Sequence, residues 1–356
     1  MAVILFFRSR GRRSSFADLA ERGVGIEMFY EKAPAWADVD GKLPRDLKAV
    51  YDFSKWLAAD LGAKASGIEF WNEEDLDHYA PEAVWDYAVA MKAAYLGVKA
   101  GSRTTPFLHG ALCQRPFTDY NRLLFANDVA KYSDVVNYHS YAALAERPGQ
   151  VGGVRRLMAE AGVPNRAIWF TELNTNQEGN STEESVRAGN KAHSEDQEKV
   201  LVEYVAKGEI AMMMQGVARA FYFILPGLNE REGKKDWGLT RRDGTVKPAY
   251  AALATLVRRV GTAKLEGEVK VDARTKAYLF THPGGEQTLV CWTISDLDRF
   301  GEVKPWPLGE HEILLPGRDA PGTREAPGRD APGTREAPGR DAPGTRTVMT
   351  YDACGV

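Results

Sequence analysis

Six apolar runs of strand length alternate with helical patterns over the first 260 residues. The runs are Val24 to Tyr30, Gly67 to Trp71, Thr105 to Leu112, Asp134 to His139, Ala167 to Thr171 and Ala218 to Leu225. Between them, Leu47, Val50, Tyr51, Ser54, Leu57 and Leu61 recur at helical spacing, predicting a helix over Pro44 to Leu61. Pro44 suits its first turn and Gly62 its stop. Val84, Tyr87, Ala88, Met91, Tyr95 and Val98 predict a second helix over Pro81 to Lys99. Ser194-Glu-Asp-Gln197 reads as a capping box opening a helix that ends near Gly208, and Lys247-Pro248 opens one running to about Val260.

Strict alternation of strand and helix implies parallel pairing, because parallel strands need long crossovers. Two architectures satisfy it, a (β/α)8 barrel and an open doubly wound sheet. Gly23 and Gly25 are followed by Met28 where a dinucleotide fingerprint needs its third glycine. Functional residues at several strand ends fit the barrel better. A barrel needs eight strands, yet only 23 residues precede Val24. Met1 to Phe7 is a candidate strand and Ser15 to Arg22 reads as the end of a helix. The expectation is a (β/α)8 TIM barrel lacking its first one or two strands.

After Val260 the pattern changes. Ala277 to Thr281 and Gln287 to Trp292 flank His282-Pro-Gly-Gly285, a hairpin signal that predicts part of a small C-terminal β-sandwich. From Arg318 to Arg346 an eleven-residue Arg/Asp/Ala/Pro/Gly repeat carries no apolar stripe, so it reads as a disordered expansion. The predicted organisation is an atypical extension over 1–14, the partial barrel over 15–260, the sandwich over 261–315, the repeat over 316–346 and a tail over 347–356.

Composition adds little. A formal charge of -3 gives no reason to expect a nucleic-acid or membrane-surface partner. Cys113, Cys291 and Cys354 show neither disulfide framework nor zinc spacing and read as small apolar residues. The histidines lack ligand spacing, so no metal or other cofactor is expected. Ala2 to Phe7 is too short for a signal-peptide core, and its basic cluster follows it. Localisation stays open.

Two of the apolar runs stop at a carboxylate, Glu73 and Glu172. A carboxylate beside a buried strand is costly unless paired or used. Two on different strands suggest a facing acid pair, the equipment for glycosidic cleavage. Trp71-Asn72-Glu73 resembles the acid/base motif of clan-A glycoside hydrolases, in which an Asn precedes the acid/base Glu at the end of the fourth barrel strand. Thr171-Glu172-Leu173 resembles the nucleophile motif of the seventh. Ala33-Pro-Ala-Trp36, Asn137-Tyr-His-Ser-Tyr141 and Asp243 to Tyr250 match in order, and the pattern is closest to the β-xylosidase and α-iduronidase family and its cellulase-like neighbours.

The resemblance implies a retaining hydrolase of poly- or oligosaccharides, with Glu172 as nucleophile and Glu73 as acid/base. It implies a carbohydrate partner and relatives that are often secreted or periplasmic. Asn72 is a candidate for the sugar 2-hydroxyl. His139 and Tyr141 are candidates to orient Glu172 or touch the sugar. Trp36 and Trp237, the latter in a polar loop, are candidate platforms for a sugar's apolar face. His109 and Gln114 flank a strand end. Glu69 and Glu27 are rival carboxylates inside the barrel, whereas Glu74 and Asp75 read as loop surface. Gln177 to His193 reads as a mobile rim, a lid in its functional version. The relatives carry an Arg on the second strand that no residue here matches, so an inactive carbohydrate-binding barrel is the alternative.

Overall fold

The computed structural model describes residues 14–32, 43–174, 195–230 and 235–294. Met1 to Phe7, Trp36, the Ser194 cap, Gln177 to His193, Cys354 and the repeat lie outside them.

Six parallel strands form one sheet: β1 (Ile26–Tyr30), β2 (Ala65–Phe70), β3 (Phe107–His109), β4 (Val135–Ser140), β5 (Ala167–Leu173) and β6 (Arg219–Tyr222). Each pairs in parallel with the next in sequence. That sequential order, with no reversal, is the order of a barrel wall and not of a doubly wound sheet. The sheet curls into a partial barrel. A closed eight-stranded barrel sheet is not seen among the described residues.

Helices α1 (Ser14–Glu21), α2 (Leu47–Leu61), α3 (Val84–Gly101), α4 (Asp119–Ala126), α5 (Arg147–Glu160), α6 (Glu195–Met214) and α7 (Pro248–Val260) fill the connections. Alternate residues of each strand divide between the sheet's two faces. Ile68, Phe70, Phe107, Val136, Ile168 and Phe170 share the helix-facing core with Tyr87, Met91 and Val98. Leu108, Val135, Trp169 and Phe221 cluster on the other face, inside the curl. Above them Asn137 Nδ2 donates to Thr171 Oγ1 at 2.9 Å, and the Asn137 amide donates to His109 Nε2 at 3.1 Å. His109 Nδ1 therefore carries the ring proton and donates to the Gly110 carbonyl.

Three helices differ in their bounds from the sequence reading; α3 runs Val84–Gly101 instead of Pro81 to Lys99. Helix α2 starts at Leu47, not Pro44, because the Asp46 carboxylate caps the Lys48 and Ala49 amides. Gly62 stops it as expected, at φ 51. Helix α6 continues past Gly208 to Met214. Gly208 is no stop signal there: the Arg147 guanidinium occupies the place of a Cβ. Cys113 and Cys291 are free and only half-buried.

Helices α2 and α3 approach closely at Gly97. A Cβ there would meet the Tyr51 carbonyl oxygen and lie 2.9 Å from Ser54 Cβ. Gly97→Ala is expected to destabilise the fold by roughly 2–3 kcal/mol, the scale of overpacking. Urea unfolding checks it. An unchanged midpoint would mean the helices can separate freely.

Beyond α7, strands β9 (Lys264–Glu268), β10 (Thr275–Thr281) and β11 (Gln287–Thr293) form an antiparallel sheet in the order β11-β10-β9. The predicted hairpin is present, closed by His282 and Glu286. Strand β9 escaped the sequence reading because Lys264, Glu266 and Glu268 expose every second position. A second sandwich layer is not among the described residues. A two-stranded ladder, β7 (Leu228–Glu230) with β8 (Lys235–Trp237), follows β6. Trp237 thus ends a strand, where a polar loop was expected. No described helix is long and apolar enough to cross a membrane.

Candidate active site

Glu73, His139 and Glu172 meet at the C-terminal ends of β2, β4 and β5. His139 Nδ1 lies 2.8 Å from Glu73 Oε1 and 3.4 Å from Glu172 Oε2. One oxygen of each glutamate and this nitrogen all fall within 4.8 Å of one another. Both carboxyl groups keep a small exposure, 14% for Glu73 and 12% for Glu172, while His139 is buried. Burial alone would push the His139 imidazolium toward losing its proton. The Glu172 charge and the hydrogen bond to Glu73 outweigh that and raise its pKa.

Each carboxylate is aimed by local backbone. On β5 the register slips by one: Tyr138 pairs with Phe170, but His139 pairs with Glu172. Regular alternation would put Glu172 on the helix side with Ile168 and Phe170. The extra residue, Thr171, forms a bulge that turns Glu172 inward beside His139. Tyr141 Oη then donates to Glu172 Oε2 at 2.5 Å. After β2, Trp71 and Glu73 both have left-handed backbone, at φ 78 and φ 46. These two residues turn the chain sharply off β2.

The remaining candidates divide. Asn72 is half-buried, and its side chain makes no hydrogen bond among the described residues, which leaves it open to a ligand. Trp237 is 3% exposed. It stands edge-on to Tyr141 at 5.4 Å and to Phe223 at 5.6 Å, backing the tyrosine that holds Glu172. Glu69 lies deeper, accepting from the Ala111 amide at 3.1 Å. Burial and the neighbouring Glu27 push its carboxyl well above the usual range. Gln114 Nε2 donates to the Asp75 carbonyl and does not line the cleft as a free group.

Glu74 and Asp75 are not loop surface. Their exposures are 0% and 4%. Asp75 accepts from the Cys113 and Gln114 amides, so the β2 loop turns inward and hydrogen-bonds to the chain after β3. Nothing in the residue types Glu-Asp signals such burial. The paired amides belong to residues some 40 positions away, roughly the length of one βα unit plus its loops.

No protein-family model matches the chain, and no curated protein matches it. Solved structures do. A family 39 glycoside hydrolase from Bacteroides cellulosilyticus WH2 superposes with a TM-score of 0.63 at 16% identity, over 83% of this chain and 62% of that one. In fold the chain is similar to part of the barrel of the clan-A glycoside hydrolases. A GH39 β-xylosidase from Caulobacter crescentus aligns with a TM-score of 0.54 at 19% identity, over 74% of this chain and 60% of that one. GH5_18 from Streptomyces cattleya, in complex with Manβ1-4GlcNAc, aligns at 0.51 with 18% identity, over 71% of this chain and 68% of that one. The chain spans about 60% of the length of the two family 39 structures. At these identities the clan-A likeness is one of fold, and chemistry must come from the site itself.

Proposed function

We propose that this chain is a retaining glycoside hydrolase acting on O-glycosidic bonds of oligo- or polysaccharides. Glu172 is its nucleophile and Glu73 its acid/base. One observation carries the reading: an oxygen of each carboxyl group and a ring nitrogen of His139 lie within 4.8 Å of one another. Retaining enzymes hold their carboxyl groups about 5–5.5 Å apart, whereas inverting ones leave about 6.5–9.5 Å for a water. The short spacing supports direct attack on the anomeric carbon.

The chemistry runs in two steps. Glu172, held by Tyr141, attacks the anomeric carbon while Glu73 gives a proton to the departing oxygen. A covalent glycosyl-enzyme forms. Glu73, now ionised, takes a proton from water, and that water displaces Glu172. His139 sits where it can hold the proton that Glu73 must deliver, since the 2.8 Å contact between them shares one. Asn72 is in sequence reach of the sugar 2-hydroxyl, and Trp237 keeps the Tyr141 ring in place.

A 2-deoxy-2-fluoro glycoside with a dinitrophenyl leaving group tests this, because the fluorine slows both steps while the activated leaving group keeps the first fast enough to trap the intermediate. Peptide mass spectrometry is expected to find the label on Glu172. A label on Glu69 or Glu27 would remove the nucleophile assignment. Binding of oligosaccharide with no labelling and no turnover across a panel of aryl glycosides would leave only a carbohydrate-binding barrel.

A further inference from the structure

The turn that carries Glu73 is held from below. Trp71 and Glu73 both take φ values that side-chain-bearing residues rarely adopt, at a cost of about 1 kcal/mol or more each. Such a conformation persists only where the surroundings fix it. Resting on the hydrolase reading, we propose that Glu74 and Asp75 are positioning residues that pin this turn and aim Glu73 across the cleft at Glu172.

Asp75 supplies one anchor. Its carboxylate accepts from the Cys113 amide at 3.1 Å and from the Gln114 amide at 2.8 Å. The Gln114 side-chain amide returns to the Asp75 carbonyl. Two loops are thereby joined in both directions, from the end of β2 to the end of β3. Glu74 supplies the second anchor, by shape. Its side chain is fully buried, and its Oε2 fills the space that a Cβ on Gly110 would take. Neither oxygen has a hydrogen-bond partner among the described residues, and His109 Nδ1 stands 3.7 Å from Oε1. The Gly110 amide donates to Tyr87 Oη, which donates to the Phe70 carbonyl one residue before the turn begins. Glu74 is thus wedged against the backbone that enters and supports the turn. With Glu74 seated on Gly110 and Asp75 tied to residues 113 and 114, the Leu76 amide closes on the Glu73 carbonyl at 2.9 Å. Glu73 has little freedom left to swing.

Two variants test this. Gly110→Ala displaces the Glu74 carboxyl without changing charge. Asp75→Asn keeps shape but leaves one acceptor oxygen where two faced the amides. A mispositioned acid/base slows substrates that need protonation on departure and spares those with a self-sufficient leaving group. The ratio of kcat/KM for a dinitrophenyl glycoside to that for an alkyl glycoside is expected to rise about tenfold or more in either variant. Independently of turnover, the His139 ring protons followed by NMR are expected to titrate at lower pH in Gly110→Ala than in the parent, because Glu73 has moved off Nδ1. A variant that folds, slows both glycosides equally and leaves His139 titrating as in the parent would overturn the proposal. A parent that hydrolyses neither glycoside defeats the hydrolase reading, and the His139 titration then still decides whether the turn is pinned.

Discussion

Glu172→Gln is expected to lower kcat on aryl glycosides by roughly 10^4-fold or more, the scale on which losing a covalent nucleophile acts. The amide is nearly isosteric, so the Tyr141 contact and the fold should survive. The loss would belong to chemistry and not to unfolding. Glu73→Ala should behave differently. With a dinitrophenyl leaving group the first step needs no acid and stays fast, while the second step loses its base. The glycosyl-enzyme then accumulates as a burst. Added azide, which attacks without deprotonation, should restore turnover and yield a glycosyl azide of unchanged anomeric configuration. Burst kinetics with and without azide check this. Equal, azide-insensitive losses in both variants would show that the two glutamates do not divide the work as assigned.

Glu27→Gln is expected to flatten the pH dependence of stability. Glu27 is half-buried on β1, with Oε1 fully buried and without a partner among the described residues. Burial raises its pKa to about 8, against a partial offset from His139. Between the unfolded value of 4.5 and about 8 the folded protein therefore holds a proton that the unfolded chain has released. The stability this group contributes is present at low pH and lost as pH rises through that window. The slope is roughly 1.4 kcal/mol per pH unit, or on the order of 5 kcal/mol across the window, as an upper bound. Glutamine mimics the neutral acid at every pH. Urea midpoints of parent and variant should nearly coincide at pH 5 and separate by pH 8.5, the variant being the more stable. Parallel pH profiles would mean that solvent reaches Glu27 after all.

The sequence made the strands and helices legible because their periodicities are local. Glu73, His139, Tyr141 and Glu172 stood out because each ends a strand, and in a parallel sheet strand ends of one polarity share one rim. What stayed hidden depends on contacts made far along the chain. Glu74 and Asp75 look like solvated loop residues until the amides of Cys113 and Gln114 are placed beside them. Gly208 looks like a helix terminator until Arg147 is found over it. Strand β9 alternates charge with Leu265 and Gly267, a pattern that a loop shares. The aim of Glu172 was hidden for another reason: simple alternation assigns it the wrong face.

The bulge in β5 bears on how chains of this shape are compared. The direction of the Glu172 carboxylate is set by the bulge that takes Thr171 out of the ladder between Phe170 and Glu172. A homologous chain could keep every reactive side chain and, with the residue at Thr171 paired in regular register opposite His139, send its nucleophile into the helical layer. Surveys that tally residue identities would score such a chain as intact. Pairing register is the quantity to inspect, and changes that straighten this bulge should be more damaging than most substitutions.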